Sequence, residues 1–187
     1  IEVGAASPYS TKEVSDLAAE FASAGRTASE TAGLLEAATN LTQTDRFATL
    51  SQAGALLNST MAMFGMTVGE AQKTVDQLAK TGVVSKATLG DLEQSLLYLA
   101  PAAASAGMEL DETLTVIGLL GNRGLLGGAA TRALTTAMSN FAKPTKEAGI
   151  AIEQLGLKTY DANGQFVGLE NIFTQLSTST AGLTQQQ

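Results

Sequence analysis

The chain has 187 residues, enough for a domain with a buried core, and its 18 acidic and 11 basic residues give a net charge of −7. The Lys and Arg residues are scattered singly, so no basic run could follow a phosphate backbone, and direct nucleic-acid binding is not expected. Without Cys or His, the chain lacks disulfides, the usual zinc ligands and the commonest catalytic base. No apolar run reaches the length of a membrane span. The first residue, Ile1, and the last, Gln187, suggest a fragment of a longer protein.

Hydrophobic residues at intervals of three and four predict amphipathic helices along most of the chain. A Ser or Thr followed three residues later by Glu is typical of a capping box at a helix start. Such pairs occur at Ser10 and Glu13, at Thr27 and Glu30, and at Thr67 and Glu70. The apolar stripes are Val14, Leu17, Phe21 and Ala24; Phe47, Leu50, Gly54, Leu57, Met61 and Phe64; Leu89, Leu92, Leu96 and Leu99; and Leu134, Met138 and Phe141.

Glycines interrupt these stripes after a few turns, and Gly25, Gly65, Gly82, Gly107 and Gly156 are expected at the left-handed position after a helix. Three of them, at positions 25, 65 and 107, recur at intervals of about 40 residues, each followed by a short link and a helix start that closes on Glu. This interval fits a stack of helical hairpins. An ordinary helical bundle that reuses its caps at similar intervals is the alternative.

A glycine-rich stretch runs from Gly121 to Ala129 and contains the candidate site residues. It lacks the Lys–Ser/Thr pair of a phosphate-binding loop, and no strand is predicted before it. Three interpretations stay open: a buried connection between helices, an exposed partner-contact loop and a ligand cradle. The candidate contact residues are Gly124, Leu125, Leu126, Gly127 and Gly128.

The pattern changes near the C-terminus, where residues 157–167 alternate in hydrophobicity on both sides of Asn163–Gly164. Asn–Gly is the strongest short signal for a β-hairpin, so a small two-stranded hairpin is predicted here, followed by a helix over about 169–176. Residues 177–187 are polar and are expected to form a linker or to begin a further helix.

The predicted fold is mainly α, a multi-helix bundle of stacked helical hairpins with one small β-hairpin near the C-terminus. Its expected division is an N-terminal linker over 1–9, a helical domain over 10–176 and a polar linker over 177–187.

No residue set in the sequence indicates catalysis, a cofactor or a metal site. Asp111 and Glu112 are adjacent, so they point to different faces of a helix, and they suit the first turn of that helix. Asp161 to Gly164 looks like the opening of a calcium loop, but the distal Glu is absent and a turn is predicted. The chain is therefore expected not to be an enzyme and to bind no cofactor.

Residues from Ser7 to Leu176 resemble the N-terminal conserved region of phage tail tape measure proteins of the lactococcal-siphophage type. The best match is the run from Leu134 to Ala148. In the family a Leu–Arg pair often follows the glycine loop, whereas here Arg132 precedes Leu134. Other matching positions are Asp91–Leu92, Tyr98 to Ala103, Gly107 before Glu112, Gly124 with Gly127, Leu155 to Leu157, Asp161 with Gly164, and Leu169.

The resemblance implies a structural and assembly domain of a tailed-phage or prophage protein that determines tail length, fills the tail tube and helps deliver DNA. It implies as partners its own copies, the tail tube protein, tail assembly chaperones and distal tail or baseplate proteins. The implied location is the virion tail, and the host cytoplasm during assembly.

Two other functions stay open. Helices rich in Ala, Gly and Leu, such as residues 105–126, could belong to a membrane-active domain that inserts during DNA ejection, so membrane contact is left undecided. A wall-degrading hydrolase fragment is disfavoured because His and Cys are absent.

Overall fold

A computed structural model of the chain describes residues 8–45, 48–164 and 166–180. These ranges contain nine α-helices and a 3-10 turn at Val68–Glu70, so the mainly α prediction is confirmed. The helices are α1 (Thr11–Ser23), α2 (Ala28–Thr42), α3 (Leu50–Met63), α4 (Ala71–Ser85), α5 (Leu89–Ser105), α6 (Leu110–Asn122), α7 (Gly128–Ala142), α8 (Lys146–Gln154) and α9 (Leu169–Thr180).

Capping boxes begin several helices, as the sequence predicts. At the start of α2, the Glu30 backbone N–H donates to the Thr27 hydroxyl (3.3 Å), and the Thr27 N–H donates to the Glu30 carboxylate (2.8 Å). These hydrogen bonds hold the pKa of the Glu30 carboxyl below its ordinary value. Two further predicted boxes are present, Ser10–Glu13 and Thr67–Glu70. The boxes Thr49–Gln52 and Thr88–Asp91 were not predicted, because the residue three positions after the Thr is Gln or Asp instead of Glu.

Five helices end in the same motif, in which a glycine with positive φ follows the last turn. After α1, the Arg26 N–H donates to the Phe21 carbonyl (3.1 Å), and the Gly25 N–H donates to the Ala22 carbonyl (3.0 Å). These bonds satisfy carbonyls that the helix leaves free, and the chain reverses. The glycines are Gly25, Gly65, Gly107, Gly124 and Gly156, of which all but Gly124 were predicted for this position.

The prediction for Gly82 is wrong, because this residue lies inside α4. Lys86 takes the left-handed conformation after α4 instead, with φ of 57°. A Cβ on Gly82 would lie 3.2 Å from the Ala87 carbonyl oxygen, so the glycine allows the returning chain to pass close to the helix.

The first seven helices form two rows. In one row α1, α3, α5 and α7 pack side by side, and in the other α2, α4 and α6 do so. Consecutive helices from α1 to α6 also pair across the rows, which makes the molecule a stack of helical hairpins. This agrees with the interval of the glycines along the sequence. The shorter α8 and the terminal α9 pack more loosely on the end of the stack.

The core lies between the rows and consists mostly of Leu and Ala. Alanine and glycine let neighbouring helices approach closely. In α3, a Cβ on Gly54 would lie 2.7 Å from Cδ2 of Leu17 in α1, so only glycine fits this contact without movement. The largest fully buried side chains are Phe21, Leu17, Leu34, Leu41, Leu50, Leu56, Leu57, Met61, Leu78, Leu92, Leu96 and Leu99.

Polar side chains join successive hairpins at the edges of the core. The Leu89 N–H at the start of α5 donates to the Asp45 carboxylate (3.0 Å). Comparable side-chain bonds are Arg26 to Asn58 (3.2 Å), Asn40 to Gln72 (3.2 Å) and Gln77 to Asp111 (3.4 Å).

The predicted β-hairpin over 157–167 is wrong. The described residues of this segment form a single isolated antiparallel bridge between Tyr160 and Phe166. Gly164 has a positive φ, but Asn163 does not, and a two-residue hairpin turn of the Asn–Gly type requires both.

The backbone of Lys158, which precedes this bridge, is bound by a side chain of α9. Its N–H donates to Oε1 of Gln175 in α9 (2.8 Å), and its carbonyl accepts from Nε2 of the same side chain (3.1 Å). The start of this segment is therefore attached to α9, while beside the bridge the Val167 N–H donates to the Thr159 carbonyl (3.1 Å).

The helix predicted over 169–176 extends one turn further, to Thr180, so it includes part of the expected polar linker. The Ser179 hydroxyl donates to the Leu155 carbonyl (2.9 Å), which ties this extra turn to the end of α8. Most of the linker expected over 1–9, and residues 181–187, lie outside the described residues, so the domain boundaries stay a prediction.

Replacing Gly54 by Ala should lower the free energy of unfolding by about 1–3 kcal/mol, because the added methyl group must displace Leu17. The matched control is Gly33→Ala in the middle of α2, where the nearest atom to a new Cβ is 3.8 Å away. That change should raise the free energy of unfolding by about 0.5–1 kcal/mol, since alanine is the better helix former. Urea unfolding of both variants is the measurement, and equal effects would contradict the close contact.

Candidate functional site

The glycine-rich stretch is the connection between α6 and α7. Gly124 follows the end of α6, and the Leu125 N–H donates to the Leu120 carbonyl (2.9 Å). Gly127, with φ of 80°, precedes α7. Gly124 and Gly127 both have positive φ, a conformation that favours glycine, so the turn itself requires these two glycines.

The remaining glycines permit close packing. A Cβ on Gly121 would lie 2.7 Å from the Cβ of Ser85 in α4, and one on Gly128 would lie 2.8 Å from Cε2 of Tyr98 in α5. The Arg132 guanidinium lies over the same Tyr98 ring, 4.8 Å from its centroid. The start of α7 is thus fixed against α5, which supports the interpretation of the stretch as a packed connection.

The two leucines of the loop differ in exposure. Leu126 is half-buried, and its Cδ2 would lie 2.9 Å from a Cβ on Gly121. Leu125 points outward and is 52% exposed. Of the candidate contact residues, Leu125 is therefore the apolar side chain that is open to a partner. The ligand-cradle interpretation gains no support, because the N–H groups of Gly124 and Leu125 already donate to carbonyls of α6.

A groove of about 830 Å³ lies next to this loop and was not predicted. Its walls are α6 and α9, and Leu134 of α7 also lines it. The row of α2, α4 and α6 would continue at this place if a further helix packed against α6, and α9 fills the place only in part. The main apolar lining residues are Val116, Leu119, Leu120, Leu134, Leu169 and Phe173.

The two ends of the groove carry opposite charges. Glu112 and Glu170 lie at the start of α6 and α9, and Arg123 lies at the end of α6. Partial burial raises the pKa of the Glu112 carboxyl, and the charges of Glu170 and Glu109 raise it further. Glu112 packs against Gly168, where an added Cβ would clash with its carboxylate.

The sequence contained one signal for this groove. Helix α6 carries apolar residues on more than one face: Leu114 and Ile117 are buried in the stack, whereas Leu119 is 62% exposed. A helix that is apolar on several faces requires neighbours on several sides. The position of α9, which forms the second wall, depends on tertiary packing and had no sequence signal.

The described residues contain neither a cluster of metal ligands nor a membrane-spanning helix. No three His, Cys, Asp or Glu side chains are grouped so that they could hold a metal ion. None of the helices in this part of the chain is both long enough and apolar enough to cross a bilayer.

Comparison with known proteins gives a consistent result. The model of a family described as phage-related minor tail protein matches residues 1–187. The chain is 33% identical to a tape measure protein of Pneumococcus phage Dp-1, over all of this chain and 16% of that protein. It is 27% identical to a probable tape measure protein of Escherichia phage P2, over 70% of this chain and 16% of that protein. The chain thus spans a small part of these relatives, and no solved structure matches it.

The two loop leucines should respond differently to replacement by serine. Leu126→Ser should lower the free energy of unfolding by about 1–2 kcal/mol, because it removes a half-buried apolar side chain. Leu125→Ser, its matched control, should leave the free energy of unfolding unchanged, because that side chain is already half in water. Chemical denaturation measures both, and equal destabilisation would show that Leu125 also belongs to the core.

Replacing Glu112 by Gln should stabilise the domain at pH 7 and have little effect below about pH 4. The raised pKa means that the folded state binds the proton of Glu112 more tightly than the unfolded state does. As the pH rises from the pKa of the unfolded state through that of the folded state, the ionised carboxylate therefore lowers the free energy of unfolding. Thermal melts of both proteins across this range test the prediction. Glu93→Gln, on the exposed face of α5, is the control. A constant difference at every pH would contradict a titrating origin.

Proposed function

Because this chain belongs to the phage-related minor tail protein family, a family of phage tail structural proteins, we propose that it forms a compact assembly domain of a tail tape measure protein. The parent protein would determine tail length and help deliver DNA. The supporting observation is the family match over all 187 residues, together with two relatives that are named as tape measure proteins.

The fold limits which of these tasks the domain performs. A ruler must be extended, and 187 residues in one helix would reach roughly 280 Å at about 1.5 Å per residue. Here the longest helix of the described residues has 17 residues, and the first seven helices pack side by side in two rows. The measuring function therefore belongs to other parts of the parent protein, and this domain serves attachment, assembly or ejection.

The exposed apolar surface supports a role in protein contacts. Leu125 in the loop over Gly124–Gly128 and the neighbouring groove expose apolar side chains that a partner would cover. The proposed partners are further copies of the chain, the tail tube protein, tail assembly chaperones and distal tail or baseplate proteins. The proposed locations are the virion tail and, during assembly, the host cytoplasm.

In a phage that carries this chain, in-frame deletion of residues 10–176 should reduce the number of assembled tails and infectious particles without shortening the tails that form. If the segment were part of the ruler, its loss as an extended helix would shorten the tail by roughly 250 Å. Electron microscopy of tails and plaque counts measure the two effects, and the intact gene supplied in trans is the control. Normal numbers of normal tails would contradict an assembly role, and proportionately shorter tails would contradict the compact-domain interpretation.

A further inference from the structure

The last turn of α4 carries two valines that are exposed to water. Val83 is 71% exposed and Val84 is 58% exposed, and Val83 is the most exposed of the large apolar side chains in the described part of the chain. Valine loses side-chain freedom in a helix and is a poorer helix former than alanine. Because an exposed side chain gains little from burial, these two residues weaken α4 in the isolated chain.

The residue that follows α4 is also locally unfavourable. Lys86 has φ of 57°, and among the described residues it is the only one with positive φ that is not glycine. The left-handed conformation is strained for a residue with a side chain, and glycine takes it after five other helices. Unfavourable local choices that occur together are typical of surfaces whose residues serve a contact instead of stability.

A small groove of about 190 Å³ adjoins these residues, between α4 and α6. Lys80 and Val84 line it from α4, and Leu119 lines it from α6. Leu119 also lines the larger groove toward α9, so it separates the two grooves. At the other end of the small groove, the Asp111 carboxylate accepts a hydrogen bond from Gln77 (3.4 Å). The acidic group of this groove is therefore already bound within the chain.

Helices α4 and α6 end side by side. Ser85 is the last residue of α4, and its Cβ would lie 2.7 Å from a Cβ on Gly121 in the last turn of α6. Lys86 and Arg123 are the residues that directly follow the two helices. Both cations therefore lie at the same end of the stack, next to the exposed valines.

The charge of this end is opposite to that of the whole chain. Residues 77–90 and 113–131 contain Lys80, Lys86 and Arg123 and no acidic residue. None of these three cations forms an ion pair within the described residues. The chain as a whole has a net charge of −7. Three unpaired cations beside exposed apolar side chains are complementary to a partner that is apolar and acidic.

We propose that an acidic amphipathic helix of a protein partner binds this surface, which consists of Lys80, Val83, Val84, Lys86 and Arg123. The apolar side chains of the partner helix cover the two valines and enter the small groove, as helices do in other apolar grooves. Its carboxylates lie beside the three cations. The acidic remainder of the chain repels such a helix, so the local positive charge directs it to this place.

The shape of the surface favours a protein helix over an anionic bilayer. A bilayer presents a broad boundary, which would bring the acidic flanks of the chain close to anionic headgroups as well as the three cations. A helix is narrow enough to lie along the groove and contact the cations alone. The inference deepens the proposed function, since it gives the chemistry of one tail partner. It is tested on the purified chain, so its failure leaves the role in the tail standing.

Fluorescence anisotropy with a synthetic helix tests the proposal. The probe is a fluorescein-labelled peptide of about 18 residues, or five turns, with a stripe of leucines flanked by glutamates. The wild-type chain should bind it with a dissociation constant of about 100 µM, and more weakly as salt is added. The same peptide with lysine in place of glutamate should bind at least about tenfold more weakly. A wild-type chain that binds both peptides equally, or neither, would overturn the proposal.

Matched variants locate the contact. Lys80→Gln should weaken binding of the acidic peptide about two- to fivefold, because it removes one charge that faces the peptide. Lys146→Gln, at the exposed start of α8, removes the same charge elsewhere and should leave binding unchanged. Val84→Ser should weaken binding about threefold or more, whereas Leu97→Ser, at a side chain 61% exposed on α5, should have no effect. Controls that weaken binding as much as their partners would place the peptide elsewhere and refute the assignment.

Two further variants distinguish a contact role from a structural one. Lys86→Gly and Val83→Ala each remove a local destabilising feature, so each should raise the melting temperature followed by circular dichroism. Each should also weaken binding of the acidic peptide about two- to fivefold, because each removes part of the contact. Variants that melt higher but bind as tightly as the wild type would overturn the proposal. Vesicles of phosphatidylglycerol that displace the peptide from the wild-type chain would also overturn it, since the surface would then bind lipid.

Discussion

The fold depends on the reversal of the chain at glycines in the left-handed conformation. Five of the nine described helices end at such a glycine, and none of the nine is longer than 17 residues. Helices this short need neighbours to bury their apolar faces. Each must pack against the preceding hairpin, and repeated packing of this kind produces two rows of helices. Close approach within a row then requires small residues at the contacts, as at Gly54 beside Leu17 and Gly121 beside Ser85. The abundance of Gly and Ala, together with only 5% aromatic residues, follows from this geometry.

A stack of this kind has ends, and its two ends differ. Helix α1 turns a polar face outward, as the terminal unit of a helical repeat must if it is to stay in water. At the other end, α6 packs against α4 on one side. On its other side lies α9, and the groove remains open between them. The groove is thus a consequence of where the regular packing stops. Exposed Leu119 and Phe173 mark the place where the next element would lie.

Local signals predicted the helices well, and tertiary contacts explain the errors. The capping boxes at Ser10 and Thr27 involve residues three apart, so the sequence alone was sufficient to place those helix starts. Glycine identity does not distinguish a left-handed turn from a close contact, which is why Gly82 was misplaced. The predicted hairpin is wrong because Asn163 does not take the positive φ that its turn requires, and the bonds from Gln175 to Lys158, far apart in sequence, could not be foreseen. In the loop at Gly124, the exposure of Leu125 rather than Leu126 depends on how α6 lies against α4, which the sequence does not show.

The loop and the groove form one region around the C-terminal end of α6. Arg123 lines the groove, and Leu125, two residues later, points outward from the loop. The turn at Gly124 links these two features, since its left-handed conformation carries the chain from the groove wall to the loop. A partner that covers the groove therefore approaches the loop as well. The packing of Gly121 and Gly128 against α4 and α5 holds this region in place, so it can present a fixed surface although much of it lies in a connection between helices.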